Sequence, residues 1–130
     1  MESNRSGGET KITRAYLKRH RYEIFVFGDN LLHKGYGGAA KLRDMPNTYG
    51  FVTKKAPNNN DGSFYKPEEY KPKFQTELAK LERRIEEYDD YIFLISRLGG
   101  GLANRYNIFQ EVIKPGLECL KEYPNVRFLL

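Results

Sequence analysis

The sequence predicts an α/β domain in which a mostly parallel sheet is flanked by helices, and three observations predict it. Glu68 to Tyr88 carries Phe74, Leu78, Leu81, Ile85 and Tyr88 at steps of four, three, four and three, the period of an amphipathic helix. Tyr91 to Ser96 is almost continuously apolar, as expected of a strand covered on both faces. Strand-like and helical stretches alternate in the order β-α-β-α-β-α-β, which favours parallel strands joined by crossover helices.

Taken in order, Met1 to Thr10 is polar, contains Ser6-Gly7-Gly8 and reads as a dispensable flexible tail, so residues 1–11 are assigned to the tail and 12–130 to one domain. Ile12 to His20, with Ile12, Ala15, Tyr16 and Leu17, suits a short helix better than a strand. Glu23 to Phe27 is a β-branched and aromatic run, predicted as the first central strand and ended by Gly28-Asp29-Asn30. After the small-residue loop Gly35-Tyr36-Gly37-Gly38-Ala39-Ala40, a short helix over Ala39 to Arg43 stops before Met45-Pro46-Asn47, because proline disfavours helical geometry in its predecessor. Tyr49 to Thr53 is a second strand.

Lys54 to Lys66 is too polar and turn-rich for an element, and a loop of that length in a compact domain is usually functional or mobile. The long helix follows, net acidic and therefore a poor nucleic-acid face. The strand at Tyr91 leads into a second glycine loop, Gly99-Gly100-Gly101. Asn104 to Glu122 places Phe109, Val112, Ile113, Leu117 and Leu120 on one helical face, and Pro115 removes the amide that would bond the Glu111 carbonyl, which predicts a kink. Asn125 to Leu130 closes the chain as a strand, and no internal repeat is evident.

A chain of 130 residues with 39% hydrophobic residues, 10 Tyr and 8 Phe is sized for one core, although its mean hydropathy is only −0.72. No apolar run approaches the roughly 20 residues of a membrane span, and the N-terminus lacks the apolar stretch of a secretory signal, so a cytoplasmic location is expected. Cys119 falls on the apolar side of its predicted helix and is read as a small hydrophobe. Two His and one Cys, widely separated, make no metal-ligand spacing, and no metal is expected. The net charge of +5 is concentrated at the N-terminus: Met1 to Tyr22 holds six Lys or Arg against two Glu, the remainder 16 against 15. Lys18-Arg19-His20-Arg21 is a candidate phosphate contact, with a solvated face as the commoner use of such a run.

Both glycine loops follow strands and precede helices. In open α/β sheets ligands collect at the carboxyl ends of strands, and a diphosphate needs converging amide donors with no side chain in the way. Gly35 to Ala40 matches G-x-G-x-x-A, but a dinucleotide fingerprint begins at the strand end and seven residues separate Phe27 from Gly35. No P-loop pattern occurs. Between His33 and Lys55 stand five basic residues against Asp44, which favours an anionic ligand. Solvated surface lysines are the plainer reading for Lys34, Lys41 and Arg43, whereas Lys54 and Lys55 end a strand beside the long loop. Asp29 and Asn30 are either ribose or base contacts or simple turn residues. Tyr106 and Phe109 are candidate base-stacking groups, with core packing the commoner role.

Phe27-Gly28-Asp29-Asn30, then Gly35 to Lys41, then Thr53-Lys54-Lys55, then Arg97-Leu98-Gly99-Gly100-Gly101-Leu102, together resemble a small macrodomain, the ADP-ribose-binding α/β module. Short macrodomain-related proteins of bacteria and their phages share the likeness, which runs from about Ile24 to the C-terminus. It implies a single-domain, three-layer macrodomain-like fold with a mixed, mostly parallel sheet. The likeness is closest to the branch that includes terminal ADP-ribose glycohydrolases and antitoxins that remove ADP-ribose from DNA. That branch has a Thr-Lys pair after a central strand, which puts Lys54 in the catalytic role of attack on the ribose. The ligand-binding positions it implies are Asp29, Asn30, Gly35, Gly37, Gly38, Ala39, Thr53, Lys55, Gly99, Gly100, Gly101, Leu102 and Asn104.

Two departures matter. Ala103 stands where protein-directed members carry a catalytic acid that DNA-directed members also lack, which leans towards the DNA-directed type or towards a binder that does not hydrolyse, and the first loop is shorter than in typical macrodomains, which tells against Asp29 as a base. The expectation is a monomer, with no cofactor, that binds ADP-ribose or a related NAD-derived nucleotide, with hydrolysis of ADP-ribosyl groups from nucleic acid or protein as the implied activity. The alternative is a non-catalytic phage or bacterial accessory protein of phage–host conflict that sequesters a nucleotide signal or binds nucleic acid through Lys18 to Arg21.

Overall fold

The computed structural model describes residues 12–129, so the assigned tail lies outside the described residues. Four parallel strands, β1 (Glu23–Asn30), β2 (Thr48–Lys54), β3 (Ile92–Ile95) and β4 (Val126–Phe128), form one sheet in the order β2-β1-β3-β4. The sheet is therefore all parallel rather than mixed. Among the described residues an isolated antiparallel bridge, Lys54 to Phe64, is the one reversal, and it fastens the long loop back onto the end of β2.

Alternation along β1 sorts the core into two layers. Phe25 and Phe27 face one side, packing with Leu17 of α1 (Arg14–Arg19) and with Ala40, Leu42 and Met45 from the short 3₁₀ helix Gly38–Leu42 and its exit. Val26 faces the other side, the main core, beneath α2 (Pro67–Glu87) and the helical segment that follows β3. The predicted face of α2 is realised: Phe74, Leu78, Leu81 and Ile85 are buried together with Tyr70. The β1–β2 connection thus covers one face of the sheet, and the β2–β3 and β3–β4 connections cover the other.

Downstream of β3 the single predicted helix is broken. Leu102–Asn104 forms a 3₁₀ turn, then a composite helix runs as a π segment (Phe109–Ile113), an α turn (Lys114–Gly116) and a 3₁₀ segment (Leu117–Glu122). Pro115 sits where the ladder changes pitch, as a missing amide requires. The pitch also corrects the reading of Cys119. At three residues per turn Leu117 and Leu120 share the buried face, and Cys119 is turned out, exposed beside Glu82. Partial burial, then the Glu82 carboxylate, push its thiol pKa up, away from reactivity.

One device recurs at the amino end of the sheet. Asn47, just before β2, donates through Nδ2 to the carbonyls of Leu17, His20 and Glu23 at 3.0, 3.2 and 3.0 Å. Asn125, just before β4, donates to Ile85, Tyr88 and Tyr91 at 3.1, 3.4 and 3.1 Å. Each follows a proline, and each carbonyl group set belongs to the helix end and turn that feed the adjacent strand. These carbonyls have no intrahelical partner, so an amide donor there satisfies what a helix C-terminus leaves over.

β2 is an edge strand, and its exposed backbone is closed by side chains of α2. The Val52 amide donates to Glu77 Oε1 at 2.8 Å, and the Tyr70 hydroxyl donates to the Val52 carbonyl. Glu77 is only 4% exposed, and Lys73 lies 3.3 Å from its other oxygen. A buried carboxylate is tolerated here because it accepts from a strand edge that would otherwise go unpaired. Replacing Glu77 by Ala strands the Val52 amide and should lower the unfolding free energy by about 1–3 kcal/mol. Glu77→Gln keeps an acceptor and should lose less. Urea denaturation reads both, and an unchanged midpoint for Glu77→Ala would contradict the edge-closing role.

Candidate functional site

β1 is extended beyond its predicted end at Phe27, through Gly28, Asp29 and Asn30. Gly28 permits this: a Cβ there would lie 3.2 Å from Thr53 Oγ1 and 3.8 Å from the Gly99 amide nitrogen, so the ends of β1 and β2 and the loop after β3 meet around it. Because the chain leaves β1 for β2 on one side and β3 for β4 on the other, the strand order reverses between β1 and β3, and a crevice opens at the carboxyl end of the sheet. Its volume is about 700 Å³. The walls are Gly28 to Asn30 and Lys34 to Gly38 on one side, Ser96, Arg97 and Gly99 to Ala103 on the other, with Thr53, Lys54, Pro57 and Asn59 from β2 and the long loop.

Both glycine loops therefore line one cavity, but their glycines differ in purpose. Gly99 has φ +72°, and a Cβ on it would strike Ile113 Cδ1 at 2.4 Å, so its identity is required by the fold. Gly37 has nothing within 4 Å of a built Cβ and an ordinary extended backbone (φ −82°), so its bare surface serves the crevice rather than the packing.

Asp29 is 6% exposed and its carboxylate is fully engaged. Arg43 Nη2 donates to Oδ1 at 2.7 Å, the Asn30 amide donates to Oδ1 at 2.8 Å, and His33 Nδ1 lies 2.9 Å from Oδ2. Gly50 makes room for it, since a Cβ there would approach Oδ2 to 2.5 Å. Burial pushes the Asp29 carboxyl up, yet the bonds from Arg43, His33 and Asn30 outweigh it and hold the group below the usual carboxylate range. Arg43 also donates to the carbonyls of Gly35 and Lys34 at 2.7 and 3.0 Å. Asn30 donates to the Lys34 carbonyl at 2.8 Å and accepts from the Leu32 amide at 3.0 Å. The pair expected to touch a ribose thus lines the crevice while its polar atoms brace the first loop.

Lys54 lines the crevice, its Nζ donating to the Asn58 carbonyl at 2.9 Å and lying 4.7 Å from the Phe64 ring centre. Arg105 lies on the same ring at 4.1 Å and is held by Asp61, which also accepts from the Tyr106 hydroxyl. Burial first, then the Arg105 charge, lower the Lys54 pKa. Lys55 is not brought to the crevice; one residue further along, it points to the opposite side and pairs with Glu69. Asn104 is likewise drawn away, accepting from the Phe109 amide and donating to Gln110 Oε1, each at 2.9 Å. Ala39 lies within the 3₁₀ helix Gly38–Leu42. Neither Tyr106 nor Phe109 lines the crevice, the first being bonded to Asp61 and the second buried under Arg97.

Sequence reasoning missed Arg97, Lys34 and Tyr36 as site residues. Arg97 and Tyr36 flank the glycines that drew attention, and an arginine beside such a loop was itself a legible signal. Apart from Asp29, no acidic residue lines the crevice among the described residues, so its free charges are the cations Lys34, Lys54 and Arg97. Lys18, Arg19 and Arg21 are exposed and none of them lines the crevice. Among the described residues, no group of three or more His, Cys, Asp or Glu is placed to hold a metal, and no helix is long and apolar enough to cross a membrane.

A family model matches residues 8–106, and its description is a family of unknown function, DUF7831. No curated protein matches the chain, and no solved structure does.

Two outcomes test the site's construction. Asp29 carries a lowered pKa in the folded state, so its contribution is present above the ordinary carboxylate value of about 3.9 and is lost as pH falls through the folded value. Asp29→Asn should therefore be less stable than the wild type at neutral pH, by about 1–3 kcal/mol, with the gap narrowing on acidification; a gap independent of pH would count against the ion pair. Separately, Gly99→Ala should lower the thermal midpoint by several degrees while Gly37→Ala leaves it within about 2 °C, and equal effects would refute the division between the two glycines.

Proposed function

The chain belongs to the DUF7831 family, whose function is unknown, and we propose from the site alone that it binds ADP-ribose or a related NAD-derived nucleotide. The observation that carries the reading is the convergence of two glycine loops at the switch point of a parallel sheet, around a crevice whose free charges are all positive. A volume of about 700 Å³ falls in the usual range for small-molecule sites, about 300–1,000 Å³. Bare backbone at Gly37 and along the second loop suits a diphosphate approached by amides, and the nucleotide is named from the motif resemblance, with which the layered α/β arrangement is compatible although its sheet is all parallel rather than mixed.

Lys54 is the residue we assign to chemistry, directed at ADP-ribosyl groups on nucleic acid or protein. An amine with a lowered pKa has a larger neutral fraction near neutrality and so a free lone pair for attack. In that role its nitrogen bonds to the anomeric carbon of the ribose and the substituent departs with the proton the amine releases. The bond between the anomeric carbon and the ring oxygen then breaks, the ring oxygen taking the proton still on nitrogen, and the opened sugar is held as a Schiff base that water cleaves to return the amine and release the sugar. Among the described residues no free carboxylate lines the crevice to act as an acid or base, which favours the lysine route over a carboxylate one.

Isothermal calorimetry with ADP-ribose tests the binding: heat with a micromolar dissociation constant is expected, and none at high micromolar concentration overturns it. With ADP-ribosylated DNA as substrate, Lys54→Ala should abolish release of ADP-ribose while leaving binding of the free nucleotide measurable. Undiminished release rules out the lysine route, and binding without release by the wild type reduces the function to sequestration.

A further inference from the structure

We propose that Arg97 is the side chain that grips the diphosphate of the bound nucleotide, an inference that rests on the nucleotide reading and names the group that selects its ligand. Arg97 follows β3 by two residues and lines the crevice. Its guanidinium carbon lies 4.3 Å from the centre of the buried Phe109 ring, and Nη1 donates to the Gly100 carbonyl at 3.1 Å. Gly100 is shaped to this side chain, because a Cβ there would stand 2.7 Å from Arg97 Cγ and 3.0 Å from Nη1. The middle glycine of the second loop is thus explained by a packed arginine.

A guanidinium carries five N–H donors in a planar fork, and the Phe109 ring and the Gly100 carbonyl give this exposed fork two contacts that bias its position before any ligand arrives. Among the described residues no carboxylate pairs with Arg97, and the one carboxylate of the crevice is already occupied by Arg43 and His33. An uncompensated fork beside bare backbone fits an anion with paired oxygens, and phosphate is bound bidentately by this geometry. The other two cations are less suited. Lys54 is engaged by Asn58 and Phe64, and Lys34 presents a flexible point charge.

The test measures binding of inorganic pyrophosphate and of ADP-ribose to the wild type, Arg97→Met and Arg97→Lys, with thermal midpoints checked. Methionine keeps Phe109 covered without the charge, and lysine keeps the charge without the fork. Arg97→Met should weaken pyrophosphate binding about tenfold or more, with Arg97→Lys losing most of the same factor. Wild-type affinity in either variant overturns the proposal, as does a wild type that binds neither probe. The arms separate the two readings. Pyrophosphate binding that needs Arg97, without any ADP-ribose binding, keeps this inference and sinks the nucleotide reading. ADP-ribose bound with equal affinity by Arg97→Met does the reverse. If Arg97→Met does not fold, Arg97→Lys decides the outcome.

Discussion

Taking a carboxylate out of water at the end of a central strand is unfavourable unless donors replace its hydration, and the site hangs on how Asp29 meets that demand. Arg43 supplies the strongest replacement, and its remaining donors hold the carbonyls of Lys34 and Gly35. The first glycine loop is therefore held by one buried ion pair, with no regular element of its own between Asn30 and Gly38. A buried pair of this kind adds little net stability over apolar packing, but it admits few geometries, and that restriction is what a loop wall needs. The same pair sets the electrostatics of the crevice. By neutralising the acid within the first wall it leaves the lysines and Arg97 uncompensated.

Much of the fold was legible because it depends on period. The four strands, α2 and the buried face of the last helix follow from apolar spacing, which is a local property of the sequence. What was not legible depends on contacts between distant residues. β1 continues to Asn30 because Gly28, Thr53 and Gly99 meet, and no window around Phe27 contains that fact. Cys119 faces outward because a 3₁₀ pitch replaces an α pitch after Pro115. The candidate site divides in the same way. The glycine loops and Lys54 were reached by type and position and Thr53 through the motif resemblance, whereas Lys55 and Asn104 are drawn from the crevice by Glu69 and the Phe109 amide. The roles of Asp29 and Asn30 as braces needed Arg43, Gly50 and the carbonyl of Lys34 to be placed.

The long loop between β2 and α2 earns its length through Phe64. This buried ring carries both Lys54 and Arg105, holding two like charges close enough for one to lower the pKa of the other, and the Asp61 contacts to Arg105 and Tyr106 tie the loop to the chain beyond the second glycine cluster. Three segments far apart in sequence are thereby held around one amine. Its lowered pKa is a product of that assembly rather than of the lysine's immediate neighbours in sequence.

The paired asparagines Asn47 and Asn125 act at the opposite end, each joining a strand start to the helix exit beside it. They divide the molecule's tasks along the strand axis. Registration of the sheet is secured at its amino edge by two small side chains that never approach the crevice. The loops at the carboxyl edge are thereby relieved of aligning the strands, and their side chains can be exchanged for different ligands while the alignment below them stays as it is.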